Sequence, residues 1–385
     1  MNITDFVKHY GDFTFDEKPF CEIDNVIFSQ IVYVGFEGIV DNFTGVTLEK
    51  ACKKYFELHT DDEIDDLISI SSKAVALMKE CAKTKRYKNV VVSNYVNYIN
   101  DAIDKQFAGV NFILNDRQDI VVAFRGTDVT VTGLKESAML SYMFPVPAQI
   151  EALHYFQETA MMYDGDVRIV GHSKGGNLAV FAAVSCSNSL KKQIVGVYQN
   201  DAPGFPKHFF DRYDYKQIKD KIYLYTPQSS IIGRMLYHDV NPNIVLSSNT
   251  GGIKQHQVSS WQIDNDSFIT VDKYESSSNF AAEYFNNLIE YISDDDLEMF
   301  LDVLEHIANE MGIEDFYDLK YSNLVKIFTS VEDIKFITDE QKEFVKEIFK
   351  KVLNDFTKGF VETKAKTFFD KYVASKFKDD KEIEL

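Results

Sequence analysis

Apolar positions along this chain recur with two periods, and the change from one to the other marks its elements. Val167, Ile169 and Val170 form a short β-type run, and Leu178, Ala179, Ala182 and Ala183 follow at helical spacing. Between them lies Gly171-His172-Ser173-Lys174-Gly175. The pattern predicts strand, sharp turn and helix, with Ser173 at the tip. Upstream, helical spacing covers Ile27–Gly35, Val46–Glu57 and Ile68–Ala82, after a turn at Tyr10–Phe13, and Asn89–Ile99 is strand-like. Phe107–Leu114 and Ile120–Phe124, joined by Asn115-Asp116-Arg117, predict a β-hairpin. Gln149–Tyr163 is helical, with His154 on its surface. Strands follow at Gln193–Gln199, Ile222–Tyr225 and Ile244–Leu246. From about Ser276 helical patterns run on over 281–292, 296–311, 322–330, 339–356 and 360–377, where Gly312 and Gly359 are the only glycines, and the charged end from Lys376 is a frayed tail. The expected division is an α/β domain over 1–275 and a helical domain over 276–385.

Composition narrows the function. Apolar residues at 45%, with 31 phenylalanines, allow a large core and exclude a disordered chain. A net charge of −19 argues against a nucleic-acid partner and against attraction to anionic membranes. Cys21, Cys52, Cys81 and Cys186 show no C-x-x-C spacing and read as buried thiols of a reducing compartment. With no signal-peptide pattern and no run of transmembrane length, the expected location is cytoplasmic. Asp61, Asp62, Asp65 and Asp66 read as a charged helix start rather than a cation site.

The turn at Ser173 carries the chemistry. Glycines two residues either side let strand and helix approach closely while the serine hydroxyl stands clear, and the Lys174 N–H begins the helix where a developing oxyanion is favoured. The alternative is a glycine-rich turn whose serine merely caps the helix. Arg125-Gly126-Thr127-Asp128, at the end of the hairpin's second strand, either supplies the second oxyanion donor or is an ordinary turn. The apolar stretch from Gly133 to Val146 is a lid, an acyl-chain wall or a buried connection, with burial favoured. A serine needs a base, and the base a carboxylate, in the order serine, acid, histidine. His306 reads as helix surface, and His208 lies too near the preceding strand end. His256, in the loop Gly251–Gln257 ahead of Trp261, ranks first as base, with His238 next. Asp201, just past a strand end, ranks first as acid, with Asp239 next; the strand end at Thr226–Ser230 offers only serines.

Phe124-Arg125-Gly126-Thr127, Gly171-His172-Ser173-Lys174-Gly175-Gly176-Asn177 and the late loop histidine resemble the class 3 (fungal-type) lipase superfamily. Within it, Asp201–Phe205 and Gln255–Trp261 are similar to motifs of a bacterial lipase-like, Mbeg-like group. The resemblance spans roughly residues 1–275. It implies an α/β-hydrolase fold, a mixed sheet flanked by helices, to which the C-terminal helices are an extension. It also implies Ser173 as nucleophile, His256 as base, and Thr127 with Lys174 as oxyanion donors. Two departures stand out. The superfamily's acid follows the next strand in an Asp-x-Val-Pro setting, where this chain has Ser229-Ser230-Ile231-Ile232, so Asp201 is a relocated acid or the triad is incomplete. The tryptophan after the oxyanion turn is also missing, with Leu134 nearby. The expected function is a serine esterase or lipase-like hydrolase of a small ester or lipid-like acyl substrate, needing no metal or organic cofactor. The alternative is a degenerate hydrolase scaffold acting as a binding module, its C-terminal helices meeting a protein partner.

Overall fold

Eight strands order the chain in one sheet. They run β1 (Val46–Thr47), β2 (Val91–Asn100), β3 (Lys105–Ile113), β4 (Ile120–Phe124), β5 (Val167–His172), β6 (Ile194–Asn200), β7 (Ile222–Pro227) and β8 (Pro242–Val245), and each pairs with its neighbour in sequence. The first four pair antiparallel, and β4 to β8 pair parallel. The computed structural model describes residues 1–40, 44–65, 67, 69–100, 105–115, 119–127, 139–276, 278–279, 282–283, 286–287, 292–310, 331, 334–335 and 337–348. Asp66, Asp116, Arg117, Asp128, Leu134 and the helices expected over 322–330 and 360–377 lie outside these.

Helices cover both faces of the sheet. Before the parallel strands come α1 (Ile3–Tyr10), α2 (Glu22–Ile31), α3 (Leu48–Leu58), α4 (Asp61–Asp65) and α5 (Ser69–Cys81). Among them come α6 (Pro147–Ala160), α7 (Lys174–Ser185), α8 (Asn188–Gln193), α9 (Tyr213–Ile218) and the short α10 (Gly252–Gln255). Strand β4 explains the layering. All five of its residues are buried, with Val121 and Ala123 in the core shared with α1, α2 and α5, and Ile120, Val122 and Phe124 in the core shared with α6 and α7. Alternate side chains point to opposite faces, so a strand covered on both sides must be apolar throughout. A mixed sheet with helices on both faces and a serine at the β5–α7 turn is the α/β-hydrolase architecture.

Contacts divide the chain into two compact units. One comprises 1–129 with 136–291, and the other 130–135 with 292–385. In the second, α11 (Asp294–Glu310) starts on a Ser293 cap, which accepts from the Asp296 N–H, and three acidic residues in the first turn suit the helix dipole. Residues 339–348 are helical as well.

Some boundaries moved. Helix α2 begins at Glu22, five residues before the apolar pattern suggests, because Asp24, Asn25, Ser29 and Gln30 are buried polar residues. Asp24 takes a two-point ion pair from Arg86 (2.6 Å at Oδ2, 2.9 Å at Oδ1) and the Tyr87 hydroxyl at 2.6 Å. Helix α1 escaped the pattern altogether, although Asn2 and Asp5 close a reciprocal capping box on it. The acidic helix α4 is solvated, with no buried residue.

Candidate active site

Strand β5 delivers Ser173 at φ 56° and ψ −135°, a backbone state that only a tightly held non-glycine residue adopts. Neighbouring backbone holds it there. The Ser173 N–H donates to the Asn200 carbonyl at 3.0 Å, and the Gly176 N–H to the Ser173 carbonyl at 3.0 Å. The close approach leaves no room for side chains. A Cβ at Gly171 would lie 2.1 Å from the Gly175 backbone, and one at Gly175 would lie 2.1 Å from the Phe124 carbonyl oxygen. Ser173 sits in the N-cap position of α7, yet its side chain makes no cap hydrogen bond.

The turn after β4 abuts this elbow. A Cβ at Gly126 would lie 3.0 Å from Ser173 Cβ and 2.4 Å from the Tyr33 hydroxyl. Thr127 and Lys174, the expected oxyanion donors, are both buried. The Lys174 ammonium donates to the Gln106 carbonyl at 2.9 Å. Of the apolar stretch expected as lid or buried connection, Met139 and Leu140 are buried, and Phe144 sets its ring edge-on to Phe181, Phe205 and Phe209.

Strand β6 ends at Asn200, and the next residue, Asp201, turns out of the sheet at φ 46°. It is fully buried. His256 Nδ1 lies 2.6 Å from its Oδ2. A carboxylate only accepts, so Nδ1 carries the proton and Nε2 is left as an acceptor. Oδ1 of the same carboxylate accepts from the Ser230 hydroxyl at 2.5 Å. The runner-up acid, Asp239, is instead exposed in a 2.7 Å salt bridge with Lys219. The runner-up base, His238, has a buried Nε2 without a hydrogen-bond partner, and burial pushes its pKa down to about 4. His154, His208 and His306 are exposed.

The loop carrying His256 is braced from both sides. Gln255 Oε1 accepts from the Ser229 N–H at 2.9 Å, and its Nε2 donates to the Asn249 carbonyl at 2.8 Å. The fully buried Trp261 donates from Nε1 to the Gln255 carbonyl at 2.9 Å. The lone tryptophan is thus a peg that fixes the imidazole's place.

Three residues here were not singled out from the sequence. His172 Nε2 lies 2.8 Å from the His256 carbonyl oxygen, its Nδ1 lies 3.3 Å from the Tyr33 hydroxyl, and its ring lies tilted at 36° against that of His256, 4.3 Å between centroids. The carbonyl requires Nε2 to bear the proton, so Nδ1 accepts from Tyr33. Burial, and then the nearby His256 ring, hold the His172 pKa well below the usual histidine range. The third is Ser230, seen from the sequence only as part of a strand end lacking an acid. A serine next to a carboxylate in space leaves no mark in sequence spacing.

Among the described residues no group of His, Cys, Asp and Glu could hold a metal ion, the four cysteines are free thiols, and no helix is long and apolar enough to cross a membrane. A family model described as Mbeg1-like matches residues 81–306, more than half of the chain and all of the sheet's carboxyl edge. The chain belongs to the Mbeg1-like family. No curated protein matches it. Among solved structures it is similar to the M37 lipase, at 16% identity over 55% of this chain and 68% of that one, with a TM-score of 0.36. It is also similar to the Lip2 lipase from Yarrowia lipolytica, at 13% identity over 47% and 72% and a TM-score of 0.34. A lipase from Rhizopus microsporus var. chinensis matches at 19% identity over 44% and 64%, with a TM-score of 0.29. At such scores these likenesses bear on no chemistry, which must come from this Mbeg1-like chain's own residues.

Proposed function

We propose that this Mbeg1-like protein is a serine hydrolase of carboxylic esters, with Ser173 as nucleophile, His256 as base and Asp201 as the acid that orients it. The observation that carries the reading is the 2.6 Å bond from His256 Nδ1 to Asp201 Oδ2, at the sheet edge where Ser173 stands in a strained elbow with an uncapping side chain. Strain at such a turn persists only where surrounding structure enforces it, and it is typical of nucleophiles lifted clear of the backbone.

The chemistry follows from those roles. Ser173 Oγ attacks the ester carbonyl carbon while His256 Nε2 takes its proton. Charge develops on the former carbonyl oxygen, and the Thr127 and Lys174 amides donate to it. His256 returns the proton to the departing alkoxide, which leaves as the alcohol, and the acyl group stays on Ser173. Water then gives a proton to His256 and adds to the acyl carbon, and the proton passes to Ser173 as the carboxylic acid leaves. Asp201 stays ionised and steadies the imidazolium formed twice in each cycle.

A fluorophosphonate probe tests the reading without knowledge of the substrate. The wild-type chain should label, Ser173→Ala should not, and His256→Ala should label at least a hundredfold more slowly. No labelling of well-folded wild-type chain would overturn the reading and leave a hydrolase scaffold that binds without catalysis. Nitrophenyl esters of graded acyl length would then define the preferred acid.

A further inference from the structure

The Ser230 hydroxyl is more than packing beside the acid. Ser230 lies in the turn just beyond β7, which ends at Pro227, and is fully buried. Its oxygen accepts the Gly233 N–H at 3.0 Å, so its own hydrogen is directed elsewhere, to Asp201 Oδ1 at 2.5 Å. The result is a one-way chain: Gly233 N–H to Ser230, Ser230 O–H to one carboxylate oxygen, and His256 Nδ1–H to the other. The Ser278 hydroxyl donates to the Ser230 carbonyl and pins the backbone on the other side. Two adjacent parallel strands therefore meet at this pair, β6 supplying the carboxylate and β7 the hydroxyl aimed at it.

We propose that Ser230 is a positioning residue for the acid: it orients the Asp201 carboxylate toward His256. This rests on the serine-hydrolase reading above. A hydrogen bond donated to a carboxylate favours its charged form and spreads that charge. Removing such a donor from a carboxylate–imidazole pair raises the pH at which the pair is ready to act. The other titratable groups facing this pair are His172, its ring tilted against His256, and His238 and Tyr274, both in electrostatic contact with Asp201. Arg234, which lies over the Tyr274 ring, is the nearby cation. All of these are unchanged in the variants below.

The test is the rate of fluorophosphonate labelling against pH, in the full-length chain, for wild type, Ser230→Ala and Ser230→Thr. In Ser230→Ala the plateau rate should fall about tenfold, and the acid limb should move up by about half a pH unit or more. Ser230→Thr retains the hydroxyl and should keep the wild-type limb. A merely structural serine would lower the folded fraction in Ser230→Ala and leave the limb where it was. The proton on His256 Nδ1 gives a second signal, a downfield resonance that should shift in Ser230→Ala and return in Ser230→Thr. Wild-type labelling with an unmoved limb and an unmoved resonance in Ser230→Ala overturns this proposal alone. Absence of wild-type labelling overturns the hydrolase reading instead.

Discussion

His172 donates from Nε2 to the backbone carbonyl of His256 at 2.8 Å, so the residue preceding the elbow serine holds the loop that carries the second imidazole. Tyr33, just past α2, holds His172 in turn through its hydroxyl at 3.3 Å. The elbow and the His256 loop are thus joined by a buried contact spanning 84 residues of sequence. Tyr33→Phe leaves a buried imidazole nitrogen without its donor, at a cost of about 1–3 kcal/mol. His172→Phe leaves the His256 carbonyl unpaired at a similar cost. In each, labelling of Ser173 should slow by about tenfold or more, since 1.4 kcal/mol of misplacement is a factor of ten. Urea unfolding and labelling rates measured on the same preparations check both halves of the expectation.

The two candidate acids make opposite predictions. Asp201→Asn keeps the shape of the side chain but loses the charge facing Nδ1, and should slow labelling by three to four orders of magnitude, on the order of ~10³–10⁴, as loss of a triad carboxylate does. Asp239→Asn breaks only a half-exposed salt bridge to Lys219 and should change neither the labelling rate nor, beyond about 1 kcal/mol, the stability. Equal effects from the two variants would refute the assignment of Asp201.

Acid should destabilise the fold before its carboxylates begin to titrate. His172 and His238 are both held neutral by burial, His172 well below and His238 down to about 4 from an ordinary value of 6.5. Between pH 6.5 and 4 the unfolded chain therefore binds protons that the folded chain refuses. Their contribution to stability is complete above about pH 6.5 and is lost as pH falls, with a slope approaching about 1.4 kcal/mol per pH unit for each ring. Urea unfolding at pH 7.5, 6.0 and 5.0 should show the decline, and His238→Gln should remove about half of it. A flat profile over this window would contradict the neutral state of both rings.

The sequence made the parallel half of the sheet legible because a strand buried on both faces must be apolar, as Ile120–Phe124 is. It made the elbow legible because Gly171 and Gly175 answer a steric demand that no other residue meets. It concealed the start of α2, where burial rests on polar partners: Asp24 on Arg86, and Asn25 on Asn200 at 2.6 Å. It also concealed Tyr33, His172 and Ser230, which act through hydrogen bonds to residues 29 to 139 positions away. Hydrophobic periodicity reports which face is buried. It is silent on which buried polar atom meets which.

The buried pair Asp24–Arg86 should prove costly to break. Both side chains are wholly excluded from solvent, and the Arg86 guanidinium also donates to the carbonyls of Lys18 at 2.8 Å and Pro19 at 3.3 Å. Arg86→Met strands a carboxylate that keeps only the Tyr87 hydroxyl and the Cys21 N–H. Removing one partner of such a pair costs about 3–5 kcal/mol. The urea midpoint should drop accordingly. Asp24→Asn with Arg86→Met together should recover part of the loss, because no uncompensated charge remains.

Gly233 offers a way to move the Asp201 carboxylate without altering it. A Cβ there would lie 2.2 Å from Asp201 Oδ1, 2.8 Å from Thr226 Cγ2 and 3.0 Å from Asp201 Cα. None of these atoms is the loose end of a flexible side chain. The carboxylate is held by His256 and Ser230, and Asp201 is anchored through its own N–H to the Tyr225 carbonyl at 2.7 Å. Gly233→Ala must therefore displace the carboxylate or its turn, at about 1–3 kcal/mol of overpacking. An ångström of misplacement at a catalytic group is worth about a hundredfold in rate. The expected variant is folded, with a modestly lowered urea midpoint and labelling slowed by about that factor. Labelling at the wild-type rate in a folded Gly233→Ala variant would mean that the position of Asp201 does not govern the reactivity of Ser173.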